Sequence, residues 1–408
     1  MTFFLKDINK IVDWSALIED INKENAYNPY CRSKDNYSIF KHIIISMLRR
    51  KDLILLDSDF SDSELETLTN RSDFEEFNIR LDKPESSIQN KSELIEKLKS
   101  TDDNWKITLF TSGTTGVPKK VTHNFKSITR FVKYSEQNKD DIWGFAYNPT
   151  HMAGLQVFFQ ALLNGNSIIN IFQLTKEEIY KEIENNKITH ISATPTFYRL
   201  LLPCSNSFPS VKRITSGGEK YNEKISFQLS DIFPHAKITN VYASTEAGTL
   251  FASENDVFSV KSEFKRLVKI ENNELFIYKS LLGKSELNIN EWYNTDDLVE
   301  IVSKDPLKFK FISRKNEMIN VGGYKVDPNE VEENILNMPG IKDARVFGKY
   351  NSVMGNIICC EVVCENEQIQ ESEIRSFLQS KLQEFKIPRI FKFTNKIDTT
   401  RTGKTKRT

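Results

Sequence analysis

A chain of 408 residues is long enough to bury a large core and to divide into one large domain with a smaller companion. Lysine plus arginine and aspartate plus glutamate number 56 each, so no overall field favours nucleic acid or an anionic membrane as partner, and a small-molecule substrate fits better. Cys31, Cys204, Cys359, Cys360 and Cys364 lack the paired spacing of a zinc site or a disulfide framework, which points to a reducing compartment, the cytoplasm.

The opening MTFFLKDINK reaches charge before any apolar run of signal-peptide length, and no later run is long enough to span a bilayer, so neither export nor membrane insertion is expected. Residues 43–48 read as a helix, 53–56 as a strand, and the polar stretch 82–104 as a linker. From residue 107 to 244 short apolar runs alternate with helical periods. ITLF is followed by Ile128, Phe131 and Val132 at helical spacing, and IWGFAY by a helix over 153–163 that Gly165 stops. SIINIF precedes TKEEIYKEIENN, where Thr175 and Glu178 stand at capping-box spacing, and ITHISATP, KRITSGG and KITNVYAS follow as strands. This rhythm predicts an α/β fold with mainly parallel sheets.

Beyond residue 274, ELFIYKSLL, LVEIV and KFKFIS predict an antiparallel β-subdomain. After Arg314 the pattern changes again. Asp327-Pro328 with Glu330 marks a helix start and Gly340 a stop, ARVFG and IICCEVV read as strands, and Ile374, Phe377, Leu378 and Leu382 share one helical face. The expected organisation is a large N-terminal domain, 1–315, and a small mobile C-terminal α+β domain, 316–408.

The strongest local signal is Thr111-Ser112-Gly113-Thr114-Thr115-Gly116-Val117-Pro118-Lys119, placed directly after ITLF. Its small residues let backbone N–H groups approach phosphate oxygens, its hydroxyls add donors and Lys119 adds charge. It is not a Walker loop, because the glycines are too close and no GK[ST] follows. Alone, such a loop also suits an ordinary surface turn. Further along stand Ile214-Thr215-Ser216-Gly217-Gly218-Glu219, Asn240-Val241-Tyr242-Ala243-Ser244-Thr245-Glu246, Trp292 to Asp297, Ser313-Arg314-Lys315-Asn316, Val321 to Val326 with Gly322-Gly323, and Thr402-Gly403-Lys404.

In this order the motifs resemble those of the adenylate-forming superfamily of acyl-CoA synthetases, adenylation domains and luciferases, from Ile107 to Lys404. The resemblance implies ATP, Mg²⁺ and a thiol, either CoA or phosphopantetheine. It gives the phosphates to Thr111, Ser112, Gly113, Thr114, Thr115, Gly116 and Lys119, and the adenine end to Gly217, Gly218, Glu219, Asn240, Tyr242, Ala243, Ser244 and Thr245. Asp297 would accept from the ribose hydroxyls, Arg314 would hold that end, and Glu246 would ligate magnesium. Catalytic roles fall to Lys404, Lys119, Thr115, Glu246 and His151, the last at the acyl pocket, while Gly322 and Gly323 would line the thiol's path. The bland readings are a helix start for Thr245-Glu246, a capping histidine for His151 and a solvated basic tail for Lys404.

Three positions depart from the pattern: Asp296 and Ala243 replace glycines, and Asn316 replaces an aspartate at the hinge. The N-terminal region is also shorter than is typical of the superfamily. The expected activity is activation of a small-molecule carboxylic acid to its acyl-adenylate, then transfer to the thiol. The alternatives are a ligase whose acceptor is an acyl carrier protein, and a non-catalytic nucleotide- or acyl-binding protein. Aromatic, short-chain and fatty acids fit the motifs alike.

Overall fold

The computed structural model describes residues 3–8, 10–81, 86–111, 118–285, 290–321, 324–351, 355–365 and 369–398. Six strands run parallel in the spatial order Lys237–Ser244, Arg213–Gly217, His190–Ala193, Ile142–Phe145, Ser167–Asn170 and Phe3–Asp7. Gly248–Ser253 and Lys10–Asp13 close the two edges antiparallel. Ser167–Asn170 and His190–Ala193 are buried at every position, as expected of parallel strands covered on both faces.

The covering helices follow their sequence signals. Met152–Asn164 buries Leu155, Phe158, Phe159 and Leu162 and ends at Gly165, whose φ of 68° is the left-handed cap that glycine adopts without a Cβ clash. Lys176–Asn186 starts at Thr175, whose side chain accepts from Glu178 N while Glu178 bonds back, a complete capping box.

A second sheet has the order Lys284–Ser285, Lys119–Asn124, Lys106–Thr111, Leu53–Leu56 and Tyr30–Arg32. The predicted β-subdomain is the antiparallel sheet Val257–Ser259, Leu307–Arg314, Trp292–Lys304, Glu274–Tyr278 and Val268–Glu271. The remaining sheet joins Ile319–Val321, Tyr324–Val326, Ile341–Asn351, Gly355–Cys364 and Ile390–Phe393, with helices Pro328–Leu336 and Glu371–Gln379 packed on it around a core of its own. The protein therefore has a large α/β N-terminal part with mainly parallel sheets and a β-subdomain, and a small C-terminal α+β part. The two meet where Arg199 Nε lies 3.5 Å from Asp343, Lys220 Nζ 3.5 Å from Glu333, and Lys224 Nζ donates to Leu336 O at 2.9 Å.

Several expectations need correction. Residues 82–104 are not all linker: Lys91–Lys99 is a helix with Asn90 as its cap, and Leu94 and Leu98, four residues apart, are fully buried. Helical structure near Ile128 is confined to Phe125–Thr129, preceded by the antiparallel strand Lys119–Asn124, and Phe131 instead packs toward the Phe264 ring. Leu382 lies beyond the helix Glu371–Gln379 but packs on the same core. The helix predicted to stop at Gly340 ends at Leu336, and Gly340, with φ 85°, serves the turn into the next strand.

Among the described residues no helix is long and apolar enough to cross a membrane. All five cysteines are free.

Candidate functional site

Ligands of open α/β sheets gather outside the carboxyl ends of the parallel strands. Three predicted motifs lie there. Arg213–Gly217 ends in the glycine segment, Lys237–Ser244 ends at the Thr245-Glu246 turn, and Ile142–Phe145 leads to the loop before His151. Gly217 pairs with Val241, and a Cβ on Gly217 would stand 2.4 Å from the Val241 side chain. Only glycine lets these strand ends approach so closely. Gly218 follows with φ 84°.

Thr245-Glu246 starts no helix. Ser244 and Gly248 are register partners, so Thr245, Glu246 and Ala247 form the tip of a hairpin, supported by Ala247 N donating to Ser244 Oγ at 3.2 Å. Gly248, φ 69°, closes the turn against Gln156 of the helix that His151 begins, and Thr249 Oγ1 donates to Gln156 Oε1 at 3.0 Å. The Glu246 turn and the first turns of the His151 helix are thereby in contact. Glu246 is half-buried, and its carboxylate has no ion-pair partner among the described residues.

Two contacts that sequence reasoning missed secure this turn. His123 is buried, which lowers its pKa and keeps the ring neutral. Its Nε2 donates to Thr245 O at 2.8 Å, since a carbonyl can only accept. Gly283 N donates to Glu246 O at 2.7 Å, and a Cβ on Gly283 would stand 2.7 Å from the His123 ring. His123 lies on the strand that leaves the predicted phosphate loop. Thr111 and Lys119 are register partners at the loop's two ends, and Lys119 is exposed. Ser112, Gly113, Thr114, Thr115 and Gly116 lie outside the described residues, as do Gly322, Gly323 and Lys404.

Tyr242, Asp297 and Arg314 are brought together. The Tyr242 phenol donates to Asp297 Oδ2, and Arg314 Nε donates to Asp297 Oδ1 at 3.1 Å across paired strands. Burial, reinforced by the adjacent Asp297 charge, raises the Tyr242 pKa well above its ordinary value, so the phenol remains a donor. Tyr293, not singled out in the sequence, has its pKa raised by burial and then by the charge of Glu246, with Asp296 and Asp297 also contributing. It is therefore within electrostatic reach of both the carboxylate turn and this cluster. A Tyr three residues before an Asp-Asp pair carried no signal of its own.

Other assigned side chains are committed elsewhere. The Glu219 carboxylate accepts from Thr196 N at 3.1 Å and from Thr196 Oγ1 at 2.8 Å, with Arg199 at 3.8 Å. The Asn240 amide donates to Asn255 O at 3.0 Å. Both side chains brace the strand ends.

The departures have physical accounts. Ala243 has no positive φ, so a side chain there is unstrained. Asp296 does have one, φ 58°, which explains why glycine suits the position, and its N–H donates to Asn294 Oδ1 at 2.9 Å. Aspartate adopts this region more readily than most residues. Its side chain is exposed, so solvent screens its repulsion toward a nucleotide held at Asp297. Asp296→Gly relieves about 1 kcal/mol of left-handed strain but adds roughly 0.4–1 kcal/mol of unfolded-chain entropy. Stability is expected to change by less than about 1 kcal/mol in denaturant titrations, and the KM for ATP by less than about fivefold. A tenfold fall in that KM would show that the carboxylate reaches the nucleotide.

Strand ends that gather a glycine turn, a carboxylate without an ion-pair partner among the described residues, and a Tyr–Asp–Arg cluster define a nucleotide-binding α/β protein. The profile of AMP-binding enzymes matches residues 40–267 and that of the AMP-binding enzyme C-terminal domain matches residues 330–404, and the chain belongs to the AMP-binding enzyme family. It is 24% identical over 323 residues to 2-succinylbenzoate–CoA ligase of Staphylococcus aureus (strain Newman), covering 73% of this chain and 65% of that one. It is 22% identical over 351 residues to bacitracin synthase 3 of Bacillus licheniformis, covering 72% of this chain and 5% of that protein. The matches thus span less than two thirds of either relative. In fold it is similar to o-succinylbenzoate CoA synthetase from Bacillus subtilis in complex with the acyl-adenylate intermediate, with a TM-score of 0.71 at 18% identity, over 99% of this chain and 94% of that one.

Proposed function

We propose that this chain uses ATP to activate a carboxylic acid as its acyl-adenylate and then passes the acyl group to a thiol. A carboxylate oxygen attacks the α-phosphorus, the bond to the β-phosphate breaks and pyrophosphate leaves; the thiol then attacks the acyl carbonyl and AMP leaves. The observation that carries this reading is the union of the Glu246 turn with the strand leaving the Thr111–Lys119 loop, beside the Tyr242–Asp297–Arg314 cluster. Triphosphate, cation and ribose groups have adjacent places there.

In this reading Tyr242 and Arg314 hold the Asp297 carboxylate, which takes the ribose hydroxyls, and Lys119 with the loop positions the phosphates. A half-buried carboxylate without an ion-pair partner among the described residues suits a hard cation, and magnesium bound there would neutralise phosphate charge. The acid lies at His151. Residues 1–315 supply this site, and residues 316–408 supply Lys404 for the first step and the Gly322-Gly323 path for the second, turning about Asn316. Likeness to a protein named as a CoA ligase supports CoA as the thiol, and cysteines without zinc or disulfide spacing support the cytoplasm as the place of action.

The test is acid-dependent ATP–pyrophosphate exchange across aromatic, short-chain and fatty acids, followed by thioester detection with CoA and with a phosphopantetheine carrier protein. Exchange with one acid class and a CoA thioester are expected. No exchange with any acid would return the chain to the non-catalytic alternative, and thioester on the carrier alone would replace CoA.

A further inference from the structure

Building on the adenylation reading above, we infer that Asp57 is a positioning residue whose carboxylate fixes the His151 imidazole, and with it the presentation of the acid. Asp57 directly follows the strand Leu53–Leu56, and its side chain is 4% exposed. Its Oδ2 accepts from His151 Nε2 at 2.7 Å and from Asn148 Nδ2 at 3.1 Å, and its Oδ1 accepts from Asp59 N at 3.1 Å.

These bonds fasten a whole turn. Asn148 Oδ1 accepts from Thr150 N at 2.9 Å and from Thr150 Oγ1 at 2.8 Å, and His151 O then accepts from Leu155 N at 2.9 Å as the helix begins. Gly154 admits the approach of this turn, because a Cβ there would stand 2.3 Å from Asn148 O. The ring itself has only 19% of its surface exposed.

An ionised carboxylate can only accept, so Nε2 must carry a proton. That leaves Nδ1, for which the described residues supply no hydrogen-bond partner, as the nitrogen turned to the acid. Both Asp57 oxygens are engaged by the protein, so the carboxylate holds the ring instead of pairing with a substrate ammonium. The chemistry therefore selects simple carboxylic acids over amino acids. Asparagine at position 57 keeps the shape but offers one acceptor to three donors, and its own amide donor opposes at least one of them.

Pyrophosphate exchange with Asp57→Asn, His151→Ala and the double variant tests the coupling. Asp57→Asn is expected to raise the KM for the acid by on the order of ten- to a hundredfold, leave the KM for ATP unchanged, and add nothing in the His151→Ala background. Equal changes in both KM values, or effects that multiply in the double variant, overturn the inference. Nitrogen NMR of the histidine rings in the native protein, with His151 assigned by its loss in His151→Ala, decides independently of how Asp57→Asn folds. A proton on Nε2 is expected, and a ring whose sole proton is on Nδ1 overturns the assignment. If the native protein exchanges with no acid, the adenylation reading fails while the ring measurement still decides whether Asp57 holds His151.

Discussion

Lys404→Ala is expected to slow acid-dependent pyrophosphate exchange by about 10²–10³, the usual cost of removing a preorganised cation from a site of developing charge. Transfer from a supplied acyl-adenylate to the thiol should remain within a few-fold of the native rate, roughly, because in the proposed second step the Gly322-Gly323 path takes the place of Lys404 at the site. Gly323→Leu should give the converse: a bulky side chain in the thiol's path with the nucleotide site of the first step left working. The two variants measured in both half-reactions form a two-by-two comparison. Equal loss of both steps in both folded variants would dismiss the alternation of the two domains.

Glu246→Gln is expected to lower adenylation by at least roughly a hundredfold, because a neutral amide is a poor magnesium ligand and a bound metal contributes several kcal/mol of charge stabilisation. Raising magnesium should recover part of the rate. The melting temperature should hardly move, since the turn is fastened through the Thr245 and Glu246 carbonyls and the side chain makes no ion pair among the described residues. Native-like turnover at limiting magnesium would remove Glu246 from the cation site.

Where one local rule decides the structure, the sequence was readable. Thr175 and Glu178 foretold a capping box, Gly165 a helix stop, and the short apolar runs alternating with helical periods foretold the strands of a mainly parallel sheet. The helix Lys91–Lys99 was overlooked because two buried leucines in a charged stretch give a weak period, although Asn90 and Glu93 stood at capping distance. In the site, motifs located Tyr242, Asp297, Arg314 and Glu246, and the structure brings the first three into one cluster. Residues that act across long sequence separations stayed hidden. Asp57 and His151 are 94 residues apart and His123 and Thr245 are 122 apart, distances over which neither period nor spacing carries information.

The His123 ring has a consequence for how ligands sense one another. It joins the strand leaving the phosphate loop to the Glu246 turn by a 2.8 Å bond, with the Gly283 backbone packed against it. Such a connection has little slack, so a shift of the strand Lys119–Asn124 is passed to the turn that carries Glu246, and the reverse. By thermodynamic reciprocity, a cation and a nucleotide held at these two places as proposed would change the affinity for one another by the same factor, a heterotropic coupling carried through one neutral imidazole.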